Sequence, residues 1–367
     1  MTDLIVPLLA GTVAAATPLI FAALGELVTE KSGVLNLGVE GMMLMGAIAA
    51  FAGATTSGSL ALGVVCGALA GAATAALFGV LALTLLTNQV ATGLALTIFG
   101  TGLSAFVGQG YVSLTLTGMQ PVALPGLSWI PLLGPVFFTQ NALVYLSLAT
   151  CAGIYWFLYR TKAGLILRAV GESPESAHAV GYRVIRIRYL ATLFGGALSG
   201  VAGAYLAVAY TPMWVEQLTA GRGWIALALV VFATWRPERV LAGAYLFGGV
   251  TILQFHAQAL GLAVPSQLLS TLPYLATIVV LVVISRDVQN IRVNAPASSA
   301  SPSIRRTEAR AICDERPRGT LRGTSQAPVF DPLPAAGRGE GEGSTGTPRS
   351  LSPRGPNYWR RRFQCAG

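Results

Sequence analysis

Charged residues are scarce in this sequence. Lys, Arg, Asp and Glu make up 11% of the 367 residues, and 53% of the residues are hydrophobic. A soluble globular domain carries about 25% charged residues, and the mean hydropathy here is +0.63. A chain with so few charges cannot cover a water-facing surface. The composition therefore excludes an ordinary soluble protein and predicts that most of the chain has lipid as its solvent.

Cysteine and histidine are also scarce. The four cysteines are far apart and form no CxxC pair, and the two histidines are His178 and His256. A disulfide framework or a structural metal site needs closely spaced ligands, and an intramembrane hydrolase needs a nucleophile beside a base or a metal. Neither arrangement is visible in the sequence. We therefore expect no metal site and no catalytic residues.

Lysine is as scarce as histidine, and its placement bears on ATP hydrolysis. The two lysines are Lys31 and Lys162, and neither follows the glycine spacing of a Walker A motif, G-x-x-x-x-G-K-[ST]. The chain is therefore expected to have no ATPase activity of its own and no bound cofactor.

The positive charge is concentrated at the C-terminus. Residues 1–285 hold 10 basic and 8 acidic residues, whereas residues 286–367 hold 14 arginines and 7 acids. The pI of about 9.7 thus describes the tail more than the body. The body has no basic face with interleaved aromatic residues, so a nucleic-acid partner is not expected.

Nine apolar stretches are long enough, or nearly so, to cross a hydrocarbon core of about 30 Å. They lie at about 5–25, 41–56, 60–83, 90–108, 141–159, 190–210, 224–235, 240–260 and 272–285. The expected fold is all-α: a polytopic transmembrane bundle of about 8–10 spans formed by residues 1–285. The first stretch has no basic segment before it and is interpreted as a retained span.

Three places break this regularity. The 41–56 stretch is interrupted upstream by Gly33 and Gly38, and the 224–235 stretch is short. Either is expected to be a broken or re-entrant helix, which membranes tolerate where protein or a water-filled cavity covers the backbone. The stretch 109–140 contains four prolines, which predict an exposed loop with a short interfacial helix.

The placement of lysine and arginine predicts the orientation. Six of the ten basic residues of the body lie in 160–188, and Arg236 and Arg239 flank a tight turn two spans later. Basic residues concentrate on the cytoplasmic side of a membrane protein. This rule places the 160–188 loop and the tail in the cytoplasm. The 109–140 loop and, with nine spans, the N-terminus then lie outside.

The 160–188 loop carries signals for an ordered helix. Ser173 can cap a helix that begins at Pro174, with Glu175 in its first turn and Gly181 as its stop. These residues predict a short helix over about 174–180. A loop of about 30 residues is far longer than two spans need. It is either a basic loop that binds lipid head groups or a rigid knob that fits a groove on a partner protein.

The sequence ESPESAHAVG in this loop resembles the "EAA" loop of ABC-importer permeases. The segments 25–47, 87–106, 167–206 and 221–248 are similar, in order, to the permeases of the nucleoside and simple-sugar branch of these importers. They are most similar to the second, shorter permease of heterodimeric nucleoside systems. The likeness covers about residues 5–298.

This resemblance implies a multi-pass permease subunit in the bacterial cell inner (plasma) membrane. It implies a cytoplasmic ATPase subunit that uses the ATP, a second permease subunit, an extracytoplasmic substrate-binding protein, and membrane lipid around the bundle. Nucleosides are the expected cargo, and a simple sugar of the ribose or galactose type is the alternative. The residues expected to couple this chain to the ATPase are Glu172, Pro174, Glu175, Ala177 and Gly181.

Polar residues inside spans are the candidates for the substrate path, because they are costly in lipid and usually face the bundle interior. Those singled out are Asn36, Glu40, Asn88 and Gln89. Asn36 and Glu40 would share a face if their segment were helical. For each residue the alternative is an interhelical hydrogen bond. Amides suit a neutral, polar, ring-containing cargo, because no charge has to be desolvated.

Two further points stay open in the sequence. Arg222, between two glycines, could attract a carbonyl-rich ligand, contact the substrate-binding protein or pair with Glu216. An ion-coupled secondary transporter is the rival class. The ordered 160–188 loop and the lack of an evident carboxylate pair within the spans argue against it.

The tail, residues 286–367, departs from the family pattern after Ser299. After Ser299 it is rich in Arg, Pro, Gly and Ser without apolar periodicity, so it is expected to be disordered. One interpretation is a frame-shifted or read-through extension, and the other is a genuine basic tail that follows the membrane surface.

Overall fold

The computed structural model describes residues 2–123 and 133–259, with single positions between 271 and 282. Its helices are α1 (Thr2–Lys31), α2 (Val39–Ser57), α3 (Leu60–Gly79), α4 (Gln89–Gly108), α5 (Leu133–Phe137), α6 (Ala142–Arg160), α7 (Lys162–Glu172), α8 (Pro174–Ala179), α9 (Val184–Tyr205), α10 (Arg222–Phe232) and α11 (Pro237–Ala259). Short π-helical turns, Val80–Thr84 and Leu206–Tyr210, extend α3 and α9, and a 3₁₀ turn, Gln109–Tyr111, extends α4. The strands β1 (Pro121–Ala123) and β2 (Thr139–Asn141) form an antiparallel pair.

Seven helices of the described ranges are long and apolar enough to cross a membrane. They are α1, α2, α3, α4, α6, α9 and α11, with the short turns that extend three of them. The all-α polytopic fold is thereby confirmed. Eight of the nine predicted apolar stretches fall on these helices and α10; the 272–285 stretch lies outside the described ranges apart from single positions, and the 286–367 tail lies wholly outside them.

Glycine allows α2, α3 and α9 to pack with their backbones in contact. A Cβ atom on Gly200 of α9 would overlap the backbone of Gly67 and Gly71 on α3, and one on Gly203 would overlap the backbone of Met43 on α2. In lipid, such close approach replaces the hydrophobic drive with van der Waals contact. The most buried of the seven candidate spans are α9 and α2, so this contact is the centre of the bundle.

The contacts also fix the helix directions. Thr29 of α1 donates a hydrogen bond to the Ala191 carbonyl near the start of α9 (3.3 Å), and Tyr205 near its end donates to Ala14 (3.0 Å). The helices α1 and α9 are therefore antiparallel. We call the end of the bundle that holds Lys31, residues 160–188 and Arg236 the basic end, and the opposite one the far end.

The 109–123 connection lies at the far end. Its Thr115 forms an isolated β-bridge with Met213, just beyond the turn that ends α9, and the Leu116 amide donates to the Pro212 carbonyl at 2.9 Å. The predicted short helix of the 109–140 region is present as α5. The β1–β2 pair was not predicted, because its strands are joined across 15 intervening residues.

Two segments leave helical geometry inside the bundle, as predicted. Residues 32–38 separate α1 from α2, and residues 211–221 separate α9 from α10. The second segment holds Gln217 and Ala220 at φ of 55° and 47°, a conformation that L-residues seldom adopt, besides Gly221 at 81°. The 11-residue α10 spans only about 17 Å, so 211–221 and α10 together take the place of one regular span.

Candidate functional site

The short helix predicted in the 160–188 loop is present as α8. The Ser173 hydroxyl accepts a hydrogen bond from the Ser176 amide (3.3 Å), and Pro174 occupies the first turn, where a missing N–H costs nothing. Gly181 lies at φ 94°, the left-handed conformation that ends a helix. The Tyr182 amide donates back to the Ala177 carbonyl at 3.1 Å. This prediction is confirmed, with Val180 as the C-terminal cap.

An additional helix, α7, precedes it. Thr161 caps α7 by accepting from the Gly164 amide (3.0 Å), and its buried face includes Leu167 and Val170. Gly171 lies so close to the Lys31 carbonyl that a Cβ atom would overlap it. The sequence signals in the 160–188 loop predicted only the helix over about 174–180. Gly171 packs on the end of α1, Gly164 packs on the end of α6, and Val170 packs with Ala177, so α7 attaches α8 to the bundle.

The five coupling candidates divide into two groups. Glu172, Glu175 and Gly181 are exposed, whereas Pro174 and Ala177 are buried. Ala177 packs with Val170 of α7 and Val184 at the start of α9. Pro174 and Ala177 therefore hold α8 in place and do not face outward.

The outward face of α8 has an apolar tip. Val180 is 75% exposed, and the polar residues beside it on the exposed side are Glu175, Ser176 and His178. We call these four residues the α8 knob.

The four substrate-path candidates lie around the 32–38 segment, where they bind backbone. The Gln89 side chain accepts from the Leu35 amide (3.0 Å), and the Asn36 side chain accepts from the Gly38 amide (3.0 Å). Asn88 is exposed and caps α4 by accepting from the Val90 amide at 3.0 Å. Because 32–38 is not helical, Asn36 and Glu40 do not share a helical face as the sequence analysis considered.

Glu40 joins the two broken segments. Its Oε1 accepts from the Thr219 hydroxyl and from the Gly221 amide (2.9 Å), and its Oε2 accepts from the Gly223 amide (2.6 Å). The carboxyl group is 7% exposed. It lies at the N-terminus of α10, where unpaired amides and the helix dipole favour an acidic side chain.

Two further buried acids, Glu26 and Glu30 near the end of α1, were missed. They are 1% and 3% exposed and lie one helical turn apart, which corrects the expectation that the spans hold no carboxyl pair. Glu26 accepts from the Asn36 amide at 3.0 Å, and Glu30 accepts from the Trp235 indole N–H. The first apolar stretch was expected to end near residue 25. The helix continues to Lys31 because these acids find donors inside the protein.

Trp235 and Thr234 form the tight turn between α10 and α11, both at positive φ (54° and 50°). The Arg239 guanidinium donates to the Thr234 hydroxyl at 2.6 Å. The bond from Trp235 to Glu30 therefore ties this strained turn to α1 at the basic end. One sequence signal could have indicated this contact: Glu26 and Glu30 are four residues apart, which places both side chains on one face of a helix.

Arg222, the first residue of α10, lies over an aromatic ring. Its guanidinium carbon is 5.2 Å from the centroid of the Tyr210 ring, a cation–π distance. The sequence left three roles open for Arg222. The structure shows a further one, which is to attach α10 to the end of α9. Among the described residues, no group of three or more His, Cys, Asp or Glu could hold a metal ion.

Comparison with known proteins decides the family. Residues 8–284 match the family described as "Branched-chain amino acid transport system / permease component". The chain belongs to this permease family. It is a multi-pass permease subunit of an ATP-binding-cassette transporter of the plasma (inner) membrane. No solved structure matches the chain.

Three relatives show which proteins this permease resembles in sequence. TsgC13 of Haloferax volcanii, provisionally named a glucose ABC transporter permease protein, is 44% identical over 79% of this chain and 95% of its own. The nucleoside ABC transporter permease protein NupC of Lactococcus lactis is 32% identical over 72% and 88%. The guanosine ABC transporter permease protein NupQ of Bacillus subtilis is 30% identical over 76% and 91%.

Proposed function

We propose that this chain is the permease subunit of an importer that a separate cytoplasmic ATPase subunit drives through the α8 knob. The α8 knob is the observation that carries the proposal: an ordered, outward-facing helix with an apolar tip in a basic loop. The power has to come from another subunit, because neither Lys31 nor Lys162 completes a Walker A motif. ATP is thus used by the partner, and this chain binds no cofactor.

The packing of α8 indicates how the partner's movement would be transmitted. Ala177 contacts Val184, the first residue of α9, and α9 is in backbone contact with α2 and α3. Packed elements shift as bodies and do not bend continuously. A push on α8 therefore moves the start of α9, and the centre of the bundle moves with it. Gly181 forms a left-handed turn between α8 and α9, so the connection that would transmit the movement is short.

A neutral, polar, ring-containing solute is the proposed cargo. The buried acids Glu26, Glu30 and Glu40 each accept hydrogen bonds from this chain's own groups, so they are not poised for a cation. The 44% identity with TsgC13 favours a simple sugar, whereas NupC and NupQ favour a nucleoside. We rank the simple sugar first, which reverses the order that the sequence pattern suggested.

The substrate path is proposed to run along the two broken segments, 32–38 and 211–221. Asn36, Glu40 and Gln89 shape it by fixing backbone, and Asn88, which is exposed, is the candidate for direct contact with the cargo. Discontinuous helices near the midplane are a common way to build substrate sites in transporters. A second permease subunit, in a heterodimer, and an extracytoplasmic substrate-binding protein complete the proposed transporter.

The decisive variant is Val180→Asp in the complete transporter. Val180 is 75% exposed, so membrane insertion and thermal stability should be unchanged. A charge at the tip should weaken ATPase binding at least about tenfold, since it would be desolvated at the contact. Co-purification of the ATPase and ATP-driven uptake into proteoliposomes measure the two effects.

Val112→Asp is the matched control, because Val112 is also exposed (53%) but lies in the far-end connection. It should leave ATPase co-purification unchanged. Normal ATPase binding by Val180→Asp would contradict the proposed contact. Uptake by this chain alone, driven by an ion gradient, would contradict the whole function. Competition among glucose, ribose and adenosine for uptake identifies the cargo.

A further inference from the structure

An apolar crevice lies between α6 and α9 at the basic end. Its volume is about 640 Å³, and its walls include Phe157 of α6, Leu190 and Phe194 of α9, and Leu167 of α7. Leu190 and Phe194 are 67% and 42% exposed, so the crevice opens at the outer surface of the bundle. Small residues, among them Gly153, leave the space empty: nothing lies within 4 Å of a Cβ atom built there.

The crevice has the depth of one lipid leaflet. Its deepest residue on α6 is Thr150, and α6 ends at Arg160. Ten residues of α-helix span about 15 Å, half of a hydrocarbon core of about 30 Å. The apolar walls thus run from the basic end to about the middle of the bilayer.

Four basic residues, which we call the rim, lie close in the sequence to residues that line the crevice. Arg160 follows the lining residue Phe157 by one turn, and Lys162, Arg183 and Arg186 each neighbour a residue that lines the crevice; all four are exposed. The whole 160–188 loop holds six basic and two acidic residues. An apolar crevice one leaflet deep beneath such a rim matches a phospholipid with an anionic head group.

We propose that this crevice binds an acyl chain of an anionic phospholipid, whose head group is held by Arg160, Lys162, Arg183 and Arg186. A helix of a partner permease is a poorer match. Lysine and arginine concentrate at the cytoplasmic end of any permease, so a partner helix would bring like charge to this rim. The proposal does not rest on the importer function, since it needs only a bundle whose basic end meets the membrane surface.

The site reaches the loop that carries α8. Tyr182, which lines the crevice, follows Gly181 at the end of α8, and Leu167 belongs to α7. A bound chain would therefore fill the space between the bundle and both helices. Lipid binding at this place would support the position of α8 from the membrane side.

Photo-crosslinking tests the proposal on the full chain in nanodiscs, without ATP or partner subunits. The probes are phosphatidylglycerol and phosphatidylcholine that carry the same photoreactive group in the acyl chain. Crosslinks are mapped to peptides by mass spectrometry. Phosphatidylglycerol should label residues 150–167 and 182–194 about tenfold more than phosphatidylcholine does.

Two pairs of variants separate the crevice from its rim. Gly153→Leu should fill the crevice and remove most of this labelling, whereas Gly102→Leu, at an equally open position on α4, should not. The double variant R160Q/K162Q should abolish the preference for phosphatidylglycerol, whereas R160K/K162R should keep it. These outcomes are independent of whether the complete transporter takes up sugar.

Three results would overturn the proposal. Equal labelling by both lipids would show that the site does not select an anionic head group. Labelling unchanged by Gly153→Leu would show that the acyl chain binds outside the crevice. Loss of lipid labelling together with crosslinks between two copies of the chain at 150–167 would assign the crevice to a protein interface.

Discussion

At the scale of single residues, two buried glutamates hold backbone that has left helical geometry. A segment that leaves a helix inside a membrane exposes N–H groups that water cannot satisfy. Glu26 accepts from the amide of residue 36, and Glu40 accepts from two amides and a hydroxyl of the 211–223 region. An acidic residue in these spans thus replaces the hydrogen bonds that the break removes.

Glu40→Ala should destabilise the protein, because it leaves three buried donors without an acceptor. Each orphaned donor costs about 1–3 kcal/mol, and partial relaxation of the segment should limit the loss to about 3 kcal/mol. Glu40→Gln should be intermediate, since its amide N–H₂ would face either the Gly223 amide or the donors on Oε1. Thermal unfolding in detergent measures the order.

Glu216→Ala is the matched control, an exposed acid in the same broken segment. It should unfold at the wild-type temperature. A Glu40→Ala protein as stable as this control would show that Glu40 does not hold the N-terminus of α10.

At the scale of elements, the centre of the bundle depends on glycine. Gly46, Gly67 and Gly200 bring α2, α3 and α9 into backbone contact. These helices fit one another at the level of the main chain, where rotamer changes cannot make room for a larger residue.

Gly200→Val should disrupt assembly of the bundle. A Cβ atom at this position would meet the backbone of Gly67 and Gly71 on α3, which no side-chain movement can relieve. We expect a loss of at least about 3 kcal/mol, seen as a fall in the monodisperse fraction on size-exclusion chromatography. Gly102→Val, on α4 with open space around it, should behave as wild type; equal behaviour of both variants would refute the role of the contact.

The elements that could be predicted from the sequence are those with local signals. The spans follow from runs of apolar residues, and α8 follows from Ser173, Pro174 and Gly181 within one loop. The helix α7 was missed, and its attachment could not be predicted, since Gly171 packs on the Lys31 carbonyl at the end of α1, more than 130 residues away in the chain. The strands β1 and β2 were missed for the same reason.

The site could be predicted in part. Asn36, Glu40, Asn88 and Gln89 do lie at or beside the broken segments, because polar groups in apolar runs mark such places. Their donors and acceptors could not be predicted, since the bond from Glu40 to the Gly221 amide joins residues 181 apart. Glu26 and Glu30 were overlooked because they follow an apolar run, where an acid is ordinarily taken as the end of a span.

At the scale of the whole molecule, the two ends of the bundle are chemically distinct. The basic end gathers Lys31, residues 160–188 and Arg236, and the far end holds the connection that begins after α4. The helix directions agree with the predicted orientation, in which the 160–188 loop and the 109–140 region lie on opposite sides of the membrane.

Cysteine labelling should confirm this orientation. In a background without the native cysteines, a membrane-impermeant maleimide should label His178→Cys in inside-out vesicles and Thr117→Cys in right-side-out vesicles. Both residues are exposed, one on α8 and one in the far-end connection. The reverse pattern would invert the topology and would remove α8 from the side on which ATP is available.

The bond between Glu30 and Trp235 has a consequence for biosynthesis. The two residues are 205 positions apart, and at about 5–20 residues per second the ribosome needs about 10–40 s to make the chain between them. The first helix therefore enters the membrane well before its indole donor exists. A nascent chain halted before Trp235 lacks the indole donor that Glu30 has in the finished permease, so the contact between α1 and the α10–α11 turn forms late in synthesis.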